Sequence, residues 1–204
     1  MFITLEGIDR SGKSTQAALL ADALGPQTLL LREPGGTEAG ERIRGLLKDP
    51  AVHLGPGAEL LLFLAARSEL AATVIGPARQ EGRDVVCDRY IDSSVAYQGG
   101  ALEFGVEEIE RANALIIGDC VPDLTVLIKV DPCLAAQRGQ SRLAAGIADG
   151  GDRFEGRGLA FQQAVADAYD ELARRHTERI VAVDGHGEPA AVHERVMAAV
   201  ARRR

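Results

Sequence analysis

Gly7-Ile8-Asp9-Arg10-Ser11-Gly12-Lys13-Ser14 carries the GxxxxGK[ST] spacing of a phosphate-binding loop without a gap. The run before it, Met1–Glu6 (MFITLE), is short and apolar and reads as a strand. The run after it, Ser14–Leu24, repeats Ala17, Leu20, Ala21 and Leu24 at helical spacing. A strand, a glycine-rich turn and a helix in that order let successive backbone N–H groups and a helix N-terminus face one anion. In that setting Lys13 neutralises β- and γ-phosphate oxygens, and the Ser14 hydroxyl holds Mg2+. The stretch predicts a nucleoside triphosphate site.

Outward from the loop, apolar runs at Thr28–Leu31, Arg83–Cys87, Leu124–Val130 and Ile180–Val183 read as four more strands. Helical patterns lie between and after them at Thr37–Leu47, Gly57–Gln80, Val106–Ile117, Leu134–Arg142, Leu159–Arg175 and Ala190–Arg203. Short buried strands alternating with helices predict an α/β protein of three layers, a phosphate-loop NTPase fold. Its five-stranded parallel sheet carries helices on both faces and binds ligands at the carboxyl ends of its strands. The 204 residues show no repeat and no linker, so residues 1–204 are expected to form one domain. Ser141–Gly158 is too irregular for core, and both a surface loop and a lid over a site, about residues 141–158, fit it.

Composition narrows the functional classes. Apolar residues make 46% and charged residues 26% of the chain, which excludes wholesale disorder. A net charge of −7 argues against a binder of polymeric nucleic acid, which needs a basic face to displace counterions. No apolar run reaches the roughly 18 residues of a membrane span, and the amino terminus lacks a signal-peptide pattern, so a cytoplasmic protein with no membrane partner is expected. Cys87, Cys120 and Cys133 have no CxxC spacing and are expected to be buried, reduced thiols. A GTPase switch is disfavoured: Asp22-Ala-Leu-Gly25 falls inside the first helix, and Ile128-Lys-Val-Asp131 lacks the asparagine of a base reader.

Phosphoryl transfer depends on charge neutralisation and alignment more than on covalent chemistry. Arginines stand where they can converge on strand ends: Arg10 in the loop, Arg32 and Arg89 after strands, and Arg138, Arg142 and Arg153 around the irregular segment. An acceptor that is itself a phosphate is already ionised near pH 7 and needs no general base. A hydroxyl acceptor needs a carboxylate, and only Asp9 and Glu33 stand near the loop. The excess of arginines tilts the reading towards a nucleoside monophosphate kinase.

Several strings together resemble the thymidylate kinase family. They are Leu5–Gln16 around the loop, Arg32-Glu33-Pro34-Gly35-Gly36-Thr37, Phe63-Leu-Ala-Ala-Arg67, Asp88-Arg89-Tyr90 with Ser93-Ser94-Val-Ala-Tyr97-Gln98-Gly99, and Asp152-Arg153-Phe154-Glu155. They occur in the family's order from Met1 to about Gly158. The resemblance implies ATP- and Mg2+-dependent transfer of a γ-phosphate to dTMP. Gly7, Ile8, Asp9, Arg10, Ser11, Gly12, Lys13, Ser14 and Thr15 would hold ATP, and Ser14 the metal, with Asp88 its partner through water. Asp9, Glu33, Phe63, Arg67, Arg89, Ser94, Tyr97 and Gln98 would bind dTMP. In that set Phe63 stacks on the thymine, Arg67 reaches its O4 edge, Ser94 and Gln98 stand near the imide, and Tyr97 closes the sugar pocket. Lys13, Arg89, Asp9, Arg10, Arg142 and Arg153 form the implied catalytic set.

The family uses either a loop residue or a lid residue on the transferring phosphate, and here Arg10, Arg142 and Arg153 leave both placements open. Glu33-Pro34 reads as a cis or strained turn, or as a plain helix start. Family members are usually homodimers, and the Leu/Ala helix at 57–80 offers an interface or simply core. The rival readings are another deoxynucleoside or monophosphate kinase, and a non-catalytic ATP-binding regulator.

Overall fold

Strand β1 (Phe2–Glu6) is buried along its whole length because it is the middle strand of the sheet. The computed structural model describes residues 1–144 and 157–203. Five strands pair in parallel in the order β2-β3-β1-β4-β5, where β2 is Leu29–Arg32, β3 Val85–Asp88, β4 Leu124–Lys129 and β5 Ile180–Asp184. The β1–β3 register sets Leu5 opposite Asp88, and the Arg89 N–H donates to the Leu5 carbonyl at 3.0 Å. The phosphate loop after β1 and the Asp88-Arg89-Tyr90 turn after β3 therefore leave the sheet side by side.

Alternation along β1 divides the core. Ile3 and Leu5 point to one face, where α1 (Lys13–Leu24) and α9 (Pro189–Ala201) cover them through Ala17, Leu20, Val192 and Val196. Phe2 points to the other face, against Leu70, Ile75 and Tyr90. Thr4 and Glu6 share that second face, fully buried and hydrogen-bonded: Thr4 to Thr125, and Glu6 to Tyr90, Ser93 and Tyr169. Arg179 closes a two-pronged pair with buried Asp92, and the Thr125 hydroxyl donates to the same carboxylate. Satisfied in this way, the polar groups inside the sheet avoid the cost of burial without partners.

The remaining helices are α2 (Glu38–Lys48), α3 (Pro56–Leu70), α4 (Gly76–Gln80), α5 (Ile91–Ser94), α6 (Val106–Ile117), α7 (Pro132–Ala144) and α8 (Gly158–Arg175). The helix expected over 57–80 is present, but a π-helical turn at Ala71–Ile75 joins α3 to α4. Pro77 lacks an N–H, and the chain widens just before it, with the Gly76 N–H reaching back five residues to Ala71. A second π-helical stretch, Val95–Ala101, follows α5 and was not expected as a helix. It packs on α8, where a Cβ on Gly100 would fall 2.5 Å from that of Ala168. Cys87 and Cys120 are buried as expected, whereas Cys133 is exposed, since it sits in the first turn of α7 with its N–H on Asp131. Among the described residues no helix is long and apolar enough to cross a membrane. Most of the expected lid, including Arg153, lies outside the described residues, as does the side chain of Arg142.

Candidate active site

Three backbone positions bend the chain around the loop. Gly7 and Gly12 have φ of 142° and 100°, and Arg10 takes a left-handed φ of 64° that few residues with a Cβ adopt. At Gly7 a Cβ would lie 2.5 Å from the Ile128 carbonyl, so the strand-to-loop bend tolerates no side chain. Lys13 is 5% exposed, and its Nζ donates to the Ile8 carbonyl at 3.0 Å across the loop. Burial, with the Arg89 charge adding to it, lowers its pKa to about 8. The Ser11 hydroxyl is buried with no hydrogen-bond partner among the described residues. A buried cation and an orphan hydroxyl under a glycine-rich turn fit a bound phosphate chain.

Facing the loop, Arg89 also holds a left-handed φ, 70°. Its guanidinium ion-pairs with Asp9, donates to Ser93 Oγ at 3.0 Å and to the Tyr97 hydroxyl at 3.2 Å, and lies over the Tyr97 ring. Burial alone would raise the Asp9 pKa, but the Arg89 and Lys13 charges and the Gln162 amide outweigh it and hold the carboxyl below its usual range. Non-glycine residues in this backbone region cost about 1–3 kcal/mol and collect at functional sites.

One cavity of about 890 Å³ joins these groups. One arm is lined by Glu33, Phe63, Ser94, Tyr97 and Gln98; the other runs past Leu134, Arg138, Gly185 and Pro189. Ser14 and Asp88 stand between them, the Ser14 hydroxyl donating to Asp88 Oδ2 while Asp88 Oδ1 is buried without a partner among the described residues. A hydroxyl beside a carboxylate oxygen that still needs a donor suits a hydrated Mg2+, whose waters supply such donors.

Arg67 is not on the wall of this cavity. It lies behind Glu33 and Ser94, 1% exposed, and all five of its N–H donors are used. Nε and one Nη2 proton go to Glu33 Oε2, the other Nη2 proton to the Tyr90 carbonyl, and Nη1 to Ser94 and Asn113. Burial pushes the Glu33 carboxyl up to about 7 despite Arg67. The Glu33–Pro34 peptide is cis.

Arg10 lines the cavity with its guanidinium laid on α7, where a Cβ on Gly139 would fall 2.3 Å from Arg10 Cζ. Arg32 also borders the cavity, pairs with Glu41 at 3.2 Å and is largely exposed. Reading the sequence missed Arg44 and Lys48, which line the cavity from one face of α2, Arg44 donating to the Pro34 carbonyl at 2.9 Å. Their i, i+4 spacing was the available signal. It also missed Gln162 and Asn113, for which no local signal exists. Arg138 was noticed only as a basic residue, yet it ties the loop to the β5–α9 turn by donating to the Ser11 and Gly185 carbonyls.

Comparison with known proteins agrees with this geometry. A family model described as thymidylate kinase matches residues 5–196. A thymidylate kinase of Chlorobium chlorochromatii is 42% identical over 208 aligned residues, covering 98% of this chain and 94% of that protein. One from Syntrophotalea carbinolica is 44% identical over 190 residues, 91% of this chain and 88% of the other. The crystal structure of thymidylate kinase from Ehrlichia chaffeensis superposes with a TM-score of 0.79 at 33% identity, over 98% of both chains.

Proposed function

The chain belongs to the thymidylate kinase family and transfers the γ-phosphate of ATP to dTMP, and on that premise we propose how its own residues do so. The observation that carries the assignment is the meeting of Lys13 and Arg89 between the two arms of one cavity. Gly7–Thr15 wraps the triphosphate, with the adenine in the arm lined by Leu134, Arg138, Gly185 and Pro189. Lys13 holds β- and γ-oxygens, and their negative charge raises its pKa again, keeping it cationic when loaded. Ser14, with Asp88 through water, would hold Mg2+, which when bound would supply positive charge against the phosphate oxygens.

The acceptor enters the other arm. Its base stacks on Phe63 beside Ser94 and Gln98, and Tyr97 bounds the sugar. Arg89 exchanges part of its contact with Asp9 for the dTMP phosphate, freeing Asp9 to accept from the 3′-hydroxyl. A dTMP phosphate oxygen attacks Pγ as the bond from Pγ to the β–γ bridging oxygen breaks. That electron pair leaves on ADP, and no proton has to move. Arg10, on α7, is the residue best placed to follow the transferring phosphoryl group, with Arg142 and Arg153 as its companions from about 141–158, which we read as a lid on a single kinase unit.

For Arg67 to reach the base, it must release Ser94 or Asn113. Its role is therefore first to hold Glu33 and Ser94 in place. Exposed Leu61 on α3 and Leu115 on α6 supply an apolar surface for a homodimer, and nucleotide substrates place the work in the cytoplasm.

ADP release with and without dTMP tests the proposal. Wild-type protein should release ADP only with dTMP and Mg2+. Arg89→Ala should lower kcat by about 10³-fold or more, the scale of an arginine that stabilises phosphoryl transfer. Folded Arg89→Ala or Lys13→Ala protein with full dTDP production would refute the residue assignment.

A further inference from the structure

Glu59 lies in the first turn of α3, 2% exposed, and takes no part in the chemistry described so far. Its Oε1 accepts from Gln98 Nε2 at 3.1 Å, and its Oε2 ion-pairs with Arg157 at the foot of α8. A carboxylate paired with a guanidinium only accepts hydrogen bonds. Gln98 must therefore turn its NH2 toward Glu59, and its carbonyl Oε1 is the end left for the cavity that Gln98 lines. The assignment of oxygen and nitrogen follows from the partner's chemistry, which is the sound basis for orienting an amide.

This orientation has a consequence for the acceptor. Thymine and uracil carry N3–H, a donor, whereas cytosine carries a bare N3 lone pair. A carbonyl oxygen accepts from the first and faces the second as one lone pair against another. We propose that Glu59 is a positioning residue for base specificity. By holding the Gln98 amide with its carbonyl toward the cavity, it makes the acceptor pocket admit an imide base and reject cytosine. The proposal rests on dTMP being the acceptor bound in the arm lined by Phe63 and Gln98.

The ratio of kcat/KM for dTMP to that for dCMP, with ATP saturating, tests it in the full-length protein. Glu59→Gln preserves shape but accepts either amide orientation. The ratio should fall about tenfold or more, through a higher KM for dTMP and a gain with dCMP, since mispaired buried polar groups discriminate at that scale. A merely structural role would lower both substrates together and leave the ratio unchanged. Gln98→Leu should lower the ratio as well, and adding Glu59→Gln to it should change the ratio no further, because the effect of Glu59 passes through Gln98.

An unchanged ratio in Glu59→Gln, or an equal drop with and without Gln98, overturns the proposal. A wild type that does not prefer dTMP to dCMP overturns the acceptor assignment together with it. A measurement on the wild type covers the case of a variant that does not fold. The Gln98 side-chain NH2, assigned in nitrogen-labelled protein by its loss in Gln98→Leu, should exchange slowly with or without dTMP. Fast exchange in the absence of dTMP also overturns the proposal.

Discussion

Lys13 and Arg89 stood out in the sequence because each belongs to a short string at a strand end, so local spacing carried the information. Lys13 supplies a pH prediction. Its pKa of about 8 belongs to the free protein, so kcat/KM for ATP should fall about tenfold per pH unit above about 8. The bound triphosphate favours the ammonium form, so kcat should hold to a higher pH. Initial rates over pH 6.5–10 separate the two profiles, and coincident profiles would contradict the buried-lysine account.

Gly139 supplies a second prediction. Gly139→Ala adds a methyl where Arg10 Cζ now lies, and a helix interior gains about 1 kcal/mol from the exchange. The variant should melt no lower than wild type yet lose about tenfold or more in kcat, because only the flexible end of Arg10 has to yield. Unchanged kcat would remove Arg10 from the catalytic set. Arg67 with Asn113, and Gln98 with Glu59, were beyond sequence reading for one reason. Their partners lie 46 and 39 residues apart, and only the tertiary fold brings them together.

Among the elements, strands were legible and wide helical turns were not. β1 and β4 are short runs of apolar and β-branched residues, and burial on both faces of a parallel sheet demands that composition. Val95–Ala101 hides from a search at a spacing of 3.6 residues because its N–H groups reach back five residues, as when Leu102 donates to Tyr97. That stretch carries Tyr97 and Gln98, so the least legible helix is part of the candidate site. Its packing on α8 is tight enough to test. Gly100→Ala would bring two methyl groups to 2.5 Å, with no flexible side chain to absorb the clash. Overpacking of this kind costs about 1–3 kcal/mol, read as a lower midpoint in chemical denaturation with an unchanged slope. A midpoint equal to that of wild type would mean that the two segments can move apart freely.

For the molecule as a whole, the pattern of strands and helices sufficed for the fold, since nearly every apolar run had one face or two to bury. It did not suffice for assembly, because the same Leu/Ala composition serves a core and an interface alike. Leu61 at 66% and Leu115 at 85% exposure favour the interface. Light scattering behind size exclusion should return twice the chain mass for wild type, and Leu115→Asp should halve it; a wild-type monomer would end the dimer proposal.

The pairing of Leu5 with Asp88 reaches further than architecture. It acts as a ruler: backbone hydrogen bonds fix how far apart the turns that carry Lys13 and Arg89 leave the sheet. On the proposed binding mode thymidine would leave that spacing unbridged on the Arg89 side, so part of the preference for a monophosphate acceptor would trace to the sheet itself.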